Sequence, residues 1–314
     1  MPTYNTDINR TDVAGLVPVE YSNEIARGVA AEQSAVMRLG RRLRDMARYQ
    51  TKLPVMSALA TAYFVSGDTG LKQTSEVNWQ DVTITAEELA VIVPIPQAVL
   101  DDSSAPIWDM VLPDIQTALG QAIDMAVLFG TNKPASWPAA IVTAANSAGN
   151  AVAIGTGADL YEDILGENGV VAKIEADGFM MSGSIAHMTM RGKLRGVRTT
   201  DGQLIFQPSM QTPGQYTLDG APILFPTNGA MNSSYPLIVG QWDQLVYSIR
   251  QDMNWKVFDT GVIQDGSGVI VYNLLQQDMV ALRVTMRLGF AVPNPANRVQ
   301  PSSGNRYPFG VLTV

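Results

Sequence analysis

The sequence predicts an α+β protein of two or three lobes. Its 314 residues are 46% hydrophobic, which is enough to bury a sizeable core and more than one compact unit usually holds. Three observations define the fold class: a helical apolar stripe within residues 104–129, a long two-stranded hairpin within residues 50–96, and a strand of period two that ends at Val292.

The long helix is predicted at about residues 104–129. Its start is indicated by Asp101–Ser104 and Pro106, which combine capping side chains, early acids and an early proline. Gly130 closes the pattern, and Pro113 is expected to kink the helix or trim its first turn. The apolar stripe comprises Ile107, Val111, Ile115, Leu119, Ile123 and Val127.

The two extended elements have different expected environments. The hairpin turns at residues 66–70, and its return leg alternates apolar and polar residues as far as Ile95. A lone hairpin of this length cannot bury both faces on its own chain, so it should fold back on the body or lie on a neighbouring molecule. The late strand alternates apolar residues from Val280 to Val292 opposite Arg283 and Arg287, which predicts one buried and one polar face.

The remaining segments are shorter. Residues 1–30 are predicted as an N-terminal arm and residues 31–49 as a first helical segment. Between residues 135 and 235 the sequence predicts a separate α+β lobe, with a helix at 160–176 that breaks near Gly166–Gly169. Within that lobe a strand at Ile185–Met188, a short helix with Leu194 and a hairpin turn at Thr200–Gln203 are expected.

Composition excludes several function classes. Only 16% of residues are charged and the net charge is −8, which argues against affinity for duplex DNA by phosphate neutralisation but not against a protein that encloses DNA. The absence of cysteine excludes disulfides, thiolate nucleophiles and zinc–cysteine sites. Residues 1–7 lack the pattern of a signal peptide, and no apolar run is long enough to span a bilayer, so we expect a soluble protein made in the cytoplasm.

Candidate catalytic residues are few. The only histidine, His187, lies in a predicted strand, and a structural role is favoured over catalysis because no metal-ligand partner or catalytic triad can be assigned to it. Asp101 and Asp102 could form a carboxylate pair, but adjacent positions point apart and capping explains them. The glycines of Gly155–Gly157 and Gly166–Gly169 match no phosphate-binding motif and are interpreted as loops.

One basic cluster allows two interpretations. A solvated helix face, or ion pairs with acidic neighbours, is favoured over contact with enclosed nucleic acid. The cluster consists of Arg38, Arg41, Arg42, Arg44 and Arg48. We therefore expect no catalytic, cofactor-binding or metal site, and an assembly subunit explains the chain better than an enzyme does.

Three segments then show a resemblance to a known family. They are Val17–Ile25 with Ser34–Val36, Pro94–Ser103 with Ala122–Gly130, and Leu237–Asp243 with Ile249–Arg250 and Asp278–Phe290. In this order and spacing the sequence resembles the major capsid proteins of tailed bacteriophages, which have the Hong Kong 97 type of fold. The similarity covers most of residues 17–293.

The resemblance implies a subunit that self-assembles into pentamers and hexamers, forming an icosahedral head around double-stranded DNA. It implies an arm at 1–30, an extended loop at 50–96, a discontinuous peripheral domain with a spine helix at 97–134 and 236–314, and an axial domain at 135–235. Expected partners are other copies of the chain and, in addition, portal, scaffolding and decoration proteins. The expected location is the virion, with assembly in the host cytoplasm.

Two features of the family and two rival functions stay open. The family-like sequence begins near Val17, so scaffolding must be separate, absent or already cleaved away. Some relatives join subunits by a lysine–asparagine bond, for which Lys72 is the only lysine suitably placed, although an exposed solubilising lysine is the favoured interpretation. The nearest alternative is an encapsulin-type nanocompartment shell, and the remote one is a soluble hydrolase with an Asp/Glu pair.

Overall fold

A computed structural model describes residues 34–65, 70–102, 107–197 and 216–314. The predicted arm at 1–30 and the predicted turn at Thr200–Gln203 lie outside these ranges, as does most of the hairpin turn at 66–70. The helices within them are α1 (Ala35–Leu39), α2 (Gln97–Asp102), α3 (Ile107–Leu128), α4 (Ile141–Ala148), α5 (Leu160–Leu165), α6 (Val170–Ala176) and α7 (Met188–Gly196).

Within the described ranges, the strands form two sheets and two separate hairpins. They are β1 (Arg41–Arg42), β2 (Gln50–Ala58), β3 (Asn78–Thr85), β4 (Glu87–Pro96), β5 (Ala151–Ala153), β6 (Gly183–Ala186), β7 (Tyr216–Leu218), β8 (Ala221–Leu224), β9 (Leu237–Gly240), β10 (Val246–Phe258), β11 (Val262–Gln264), β12 (Ile270–Asn273), β13 (Met279–Ala291) and β14 (Phe309–Thr313). One sheet has the order β1-β10-β13-β4, and the other has the order β5-β14-β9-β6-β8-β7. The hairpins are β2-β3 and β11-β12.

The predicted spine helix is α3. At about 1.5 Å per residue its 22 residues make a rod of about 33 Å, and Gly130 follows it with a φ of +76°, the left-handed conformation that ends helices. The predicted stripe is buried at Ile115, Leu119, Ile123 and Val127. Trimming of the first turn by Pro113 is wrong, because the helix begins at Ile107 and continues through the proline.

The predicted late strand is β13, and it lies in the middle of the four-stranded sheet. It pairs antiparallel with β10 on one side and with β4 on the other. Leu282, Val284, Met286, Leu288 and Phe290 are buried, as the period-two pattern predicts. At the alternate positions Arg283, Thr285 and Arg287 are half-buried, whereas Ala281, Gly289 and Ala291 are buried, so the predicted polar face is confined to the middle of the strand.

The first helical segment predicted at 31–49 is too long. Within the described part, α1 spans only five residues and ends at Gly40, whose N–H donates to the carbonyl of Val36 at 2.8 Å. The chain then becomes extended, and Arg41 and Arg42 pair with Val246 and Tyr247 of β10 in parallel. Leu43 follows Leu39 at helical spacing but does not continue the helix, because its N–H donates to the carbonyl of Tyr247 at 2.8 Å.

The hairpin predicted at 50–96 divides into two elements. Strands β2 and β3 pair from Gln50 with Thr85 out to Ala58 with Asn78. Beyond the buried Ala86, the return leg leaves the hairpin and becomes β4, an edge strand of the four-stranded sheet. The extended hairpin therefore ends at Thr85.

The lobe at 135–235 contains the expected broken helix as α5 and α6, separated by residues 166–169. The expected short helix with Leu194 is α7. The strand is β6, which ends at Ala186, so the prediction that His187 and Met188 lie in a strand is wrong. His187 caps α7 instead, because its ring accepts from the N–H of Thr189.

Three apolar clusters hold these elements together. The largest lies between α3, α4 and both sheets and includes Leu119, Trp242 and Phe290. A second packs α5, α6 and α7 on the six-stranded sheet. The third is small, includes Met46 and Ile84, and lies at the base of the hairpin.

Candidate assembly surfaces

The base of the hairpin is clamped onto the body at residues 85–87. The indole N–H of Trp137 donates to the carbonyl oxygen of Thr85 at 3.0 Å, and its ring meets Phe290 edge to face at 5.1 Å. Gly289 of β13 packs so closely that a Cβ there would lie 2.3 Å from the same carbonyl oxygen. The hairpin therefore leaves the body from a point that cannot shift without disturbing the core.

A hydrogen-bonded carboxylate holds the next residue. The hydroxyls of Tyr49 and Ser136 both donate to Oε1 of Glu87 at 2.6 Å. Both hydrogen bonds lower the pKa of Glu87, and the bond from Ser136 has the larger effect. The bond between Tyr49 and Glu87 raises the pKa of Tyr49. Charge-assisted bonds of this kind fix the side chains on both sides of the hairpin base.

The outer part of the hairpin exposes large apolar side chains. Phe64 is 104% exposed and Leu71 is 89% exposed, and exposed apolar side chains that are grouped, unlike single ones, are typical of contact sites. The hydroxyl of Tyr63 donates to the carbonyl of Gln73 at 3.0 Å, and the N–H of Thr61 donates to Ser75 Oγ at 2.7 Å. These contacts hold the two legs together beyond the β2-β3 ladder. We call Tyr63, Phe64, Val65 and Leu71 the loop patch.

A second apolar surface lies on the β11-β12 hairpin, which connects β10 to β13. Asp265 shapes its turn by accepting from the N–H groups of Ser267 at 2.8 Å and Val269 at 2.9 Å. Val262 is 51% exposed and Ile270 is 56% exposed. We call Val262, Val269, Ile270, Val271, Tyr272 and Leu275 the β11-β12 patch. Sequence analysis missed it, although the Asp265–Gly268 turn between apolar runs was a usable hairpin signal.

The predicted catalytic candidates are not brought together. Asp101 and Asp102 end α2 rather than start the long helix, and Asp101 accepts from the side chain of Gln97 at 3.1 Å. His187 contacts Thr189 Oγ1 at 2.8 Å. In the part of the chain that the structure describes, no group of three or more histidine or acidic side chains has the arrangement of a metal site.

The glycine-rich loop at 155–157 binds a carboxylate of its own chain. The N–H groups of Gly155 and Gly157 each donate to the buried Asp163 at 2.7 Å. Backbone amides that could have held an anion are thus satisfied internally, which supports the interpretation of this segment as a structural loop. Residues 166–169 form the connection between α5 and α6.

The basic cluster is exposed at all five arginines. Only Arg38 lies in a helix, so the prediction that the cluster forms a helix face is wrong: Arg41 and Arg42 form β1. Arg42 forms an ion pair with Asp45 of its own chain at 2.7 Å. Lys72, next to Leu71 of the loop patch, is also exposed.

Comparison with known proteins identifies the family. The sequence model of the phage capsid family matches residues 14–299. The chain belongs to this family. A curated relative, the major capsid protein of Staphylococcus phage 80alpha, is 25% identical over 88% of this chain and 82% of its own.

Solved structures agree with the family assignment. A chain of Microbacterium phage Oxtober96 has 31% identity and a TM-score of 0.77, covering 98% of this chain and 99% of its own. One of Mycobacterium phage Cain has 32% identity and a TM-score of 0.77, covering 98% of both chains. The fold is also that of a native gene transfer agent particle capsid, at 17% identity, a TM-score of 0.63 and 90% coverage of both chains.

The resemblance and the α+β capsid fold expected from the sequence are thereby confirmed, and the chain is a capsid protein of phage type. The comparisons favour this function over the encapsulin alternative. Among the described residues, no helix combines the length and apolar character needed to cross a membrane.

Proposed function

We propose that this capsid protein is the major subunit of an icosahedral phage head, in which it forms pentamers and hexamers around double-stranded DNA. The observation that carries the proposal is the loop patch, an exposed apolar surface at the end of a hairpin whose base is clamped by Trp137 and Gly289. A hairpin with a fixed base and an exposed apolar outer part is suited to contact another copy of the chain rather than the rest of its own subunit.

The stability of the shell comes from many such contacts together. At about 25 cal/mol per Å² of apolar surface removed from water, covering Phe64 and Leu71 contributes only a few kcal/mol per subunit. A contact between two different patches closes into rings, and repetition over many copies makes the shell stable although each contact is weak. The β11-β12 patch would supply a second contact to a further copy.

The proposed division of the chain follows the resemblance. Residues 1–30 form the arm, 97–134 and 236–314 the peripheral domain, and 135–235 the axial domain at the centres of the rings. Because β3 pairs with β2 only as far as Thr85, the proposed extended loop ends at residue 85 rather than at residue 96. Portal, scaffolding and decoration proteins are proposed partners, the location is the virion after assembly in the host cytoplasm, and no catalysis is assigned.

The net charge of −8 supports enclosure rather than binding of DNA. A shell of acidic subunits repels packaged phosphates wherever the acids face inward, so the genome is confined without sequence-specific contacts. Nuclease-protected DNA in purified particles would separate this function from that of a nanocompartment, in which the particles would enclose a protein cargo.

The proposal is tested by Phe64→Ser with Leu71→Ser. The double variant should fold with an unchanged thermal midpoint, since both side chains lie in solvent, but give far fewer closed shells by negative-stain electron microscopy and sedimentation. The matched control is Lys72→Ser, an exposed polar change on the same loop, which should assemble normally and show the same subunit bands on a denaturing gel.

Wild-type shell yield from the double variant would overturn the role of the loop patch. Loss of shells in Lys72→Ser would show that polar or covalent contacts, rather than apolar burial, hold neighbouring subunits. A lowered thermal midpoint in the double variant would place the two side chains in contact with their own subunit.

A further inference from the structure

A closed loop at residues 294–306 is organised around a buried arginine. Arg306 is 2% exposed, and its guanidinium donates to the carbonyls of Asn294 at 3.1 Å, Gln300 at 2.6 Å and Pro301 at 3.1 Å. It also donates to Asn294 Oδ1 at 3.1 Å, while the side chain of Asn294 donates back to the Arg306 carbonyl at 2.7 Å. The planar guanidinium thus ties both ends of the loop together.

One side of this loop is fixed to the end of α6. The side-chain amide of Asn297 donates to the Asp177 carbonyl at 2.6 Å, and its Oδ1 accepts from the N–H of Gln300 at 2.8 Å. The carboxylate of Asp177 accepts from the N–H of Tyr307 at 3.0 Å. Gly178, with a φ of +81°, allows close approach, since a Cβ there would lie 3.0 Å from both Asn297 and Val299.

The other side of the loop contacts the hairpin. The N–H of Ala296 donates to the carbonyl of Met56 at 2.9 Å, and Arg298 donates to the carbonyl of Ala60 at 2.9 Å. The first contact occurs where the register of β2 with β3 shifts, between Met56 and Ala58. Residues 294–306 therefore support the hairpin at the point where its own ladder ends.

We propose that residues 294–306 act as a strut that sets the angle of the extended hairpin and couples it to the end of α6. Asn297 and Arg298 are positioning residues at its two ends, and Arg306 keeps it rigid. Movement of the hairpin is then transmitted to the lobe of α6 through residues 294–306 as well as through the clamp at Thr85. The consequence for shells rests on the proposed function, whereas the coupling within one subunit does not.

The test measures amide hydrogen exchange of residues 53–60 in the purified full chain, before assembly. Arg298→Ala removes the hairpin contact directly. Asn297→Asp replaces the donor to the Asp177 carbonyl by a carboxylate oxygen, which the carbonyl repels, while keeping the acceptor for Gln300. Both variants should speed exchange in this segment by about fivefold, the effect expected from losing one hydrogen bond. The control is Asn232→Ala, an exposed asparagine in a turn that contacts Ser234, which should leave the exchange unchanged.

The discriminating variant is Asn297→Asp, because Asn297 makes its hydrogen bonds to Asp177 and Gln300 rather than to the hairpin. Faster exchange at 53–60 in this variant supports the strut. Unchanged exchange there, with faster exchange only in Arg298→Ala, would overturn the coupling and leave a local contact. If the loop-patch variants fail to reduce shell yield, the proposed function is refuted, but the exchange data still test the coupling between the hairpin and α6.

Discussion

At the scale of single residues, Asp124 is a buried charged group whose two carboxylate oxygens are both hydrogen-bonded. It is 0% exposed, and its Oδ1 accepts from the Ser34 hydroxyl at 2.6 Å and the N–H of Val36 at 3.1 Å. Its Oδ2 accepts from the N–H of Ala35 at 3.0 Å and the amide of Asn228 at 2.8 Å. One carboxylate on α3 therefore joins the start of α1 to the segment before β9.

The environment of this carboxylate contains opposing effects. Burial raises the pKa of Asp124, and the hydrogen bonds, led by those of Ser34 and Asn228, lower it, with burial the larger effect. Because each carboxylate oxygen accepts two hydrogen bonds, the site requires a side chain with two acceptor atoms. Asparagine has the same shape but supplies only one.

We predict that Asp124→Asn lowers the free energy of unfolding by about 1–3 kcal/mol, because its amide group must face two donors. The change is measured by chemical denaturation of assembled and unassembled protein. Asp114→Asn, an exposed change on the same helix, should stay within about 0.5 kcal/mol of the wild type. Equal stability of both variants would show that the four contacts to Asp124 contribute no net stability.

At the scale of elements, the return leg of the hairpin shows how two strands in sequence come to belong to different sheets. Ala86 is fully buried, and its N–H donates to the Tyr49 carbonyl at 2.9 Å. Beyond it, β4 finds a longer partner in β13, with ten residues in register from Glu87 to Pro96. The continuous ladder with β13 fixes the end of the hairpin more firmly than the local alternation does.

We predict that Gly289→Ala lowers stability by about 2–3 kcal/mol, since a methyl group there meets the backbone of Thr85 and the core must shift. The matched control is Gly192→Ala within α7, where a Cβ meets no atom within 4 Å. This control should raise stability by up to about 1 kcal/mol through helix propensity. Thermal denaturation of the two variants compares them directly, and a stable Gly289→Ala protein would refute the clamp.

At the scale of the whole molecule, the described surface combines few charges with two exposed apolar patches, which lie on separate hairpins. A subunit that joins different neighbours through different patches can build closed rings and then a closed shell. These properties fit the membership of the chain in the phage capsid family.

We predict that Val262→Ser with Ile270→Ser changes subunit stability by less than about 0.5 kcal/mol and sharply reduces the yield of closed shells. Light scattering during assembly measures the effect, and Gln264→Ser on the same hairpin is the control, because it is exposed but polar. Normal assembly of the double variant would exclude the β11-β12 patch from subunit contacts.

The sequence by itself determined the elements whose pattern is local. The 3.6-residue stripe located α3, the period of two located β13, and the glycines at 166 and 169 separated α5 from α6. It also determined the family, because three soft motifs occur in the right order over most of the chain. In these cases the residues that decide the structure are close together in sequence.

Only the tertiary structure decided where α1 ends, where the hairpin separates from β4, and that residues 294–306 touch both the hairpin and α6. Each depends on partners far away in the chain: Arg41 with Val246, Glu87 with Leu288, and Arg298 with Ala60. Spacing within one segment carries no information about such partners, because strand pairing and buried hydrogen bonds are satisfied by whichever distant groups the fold brings near.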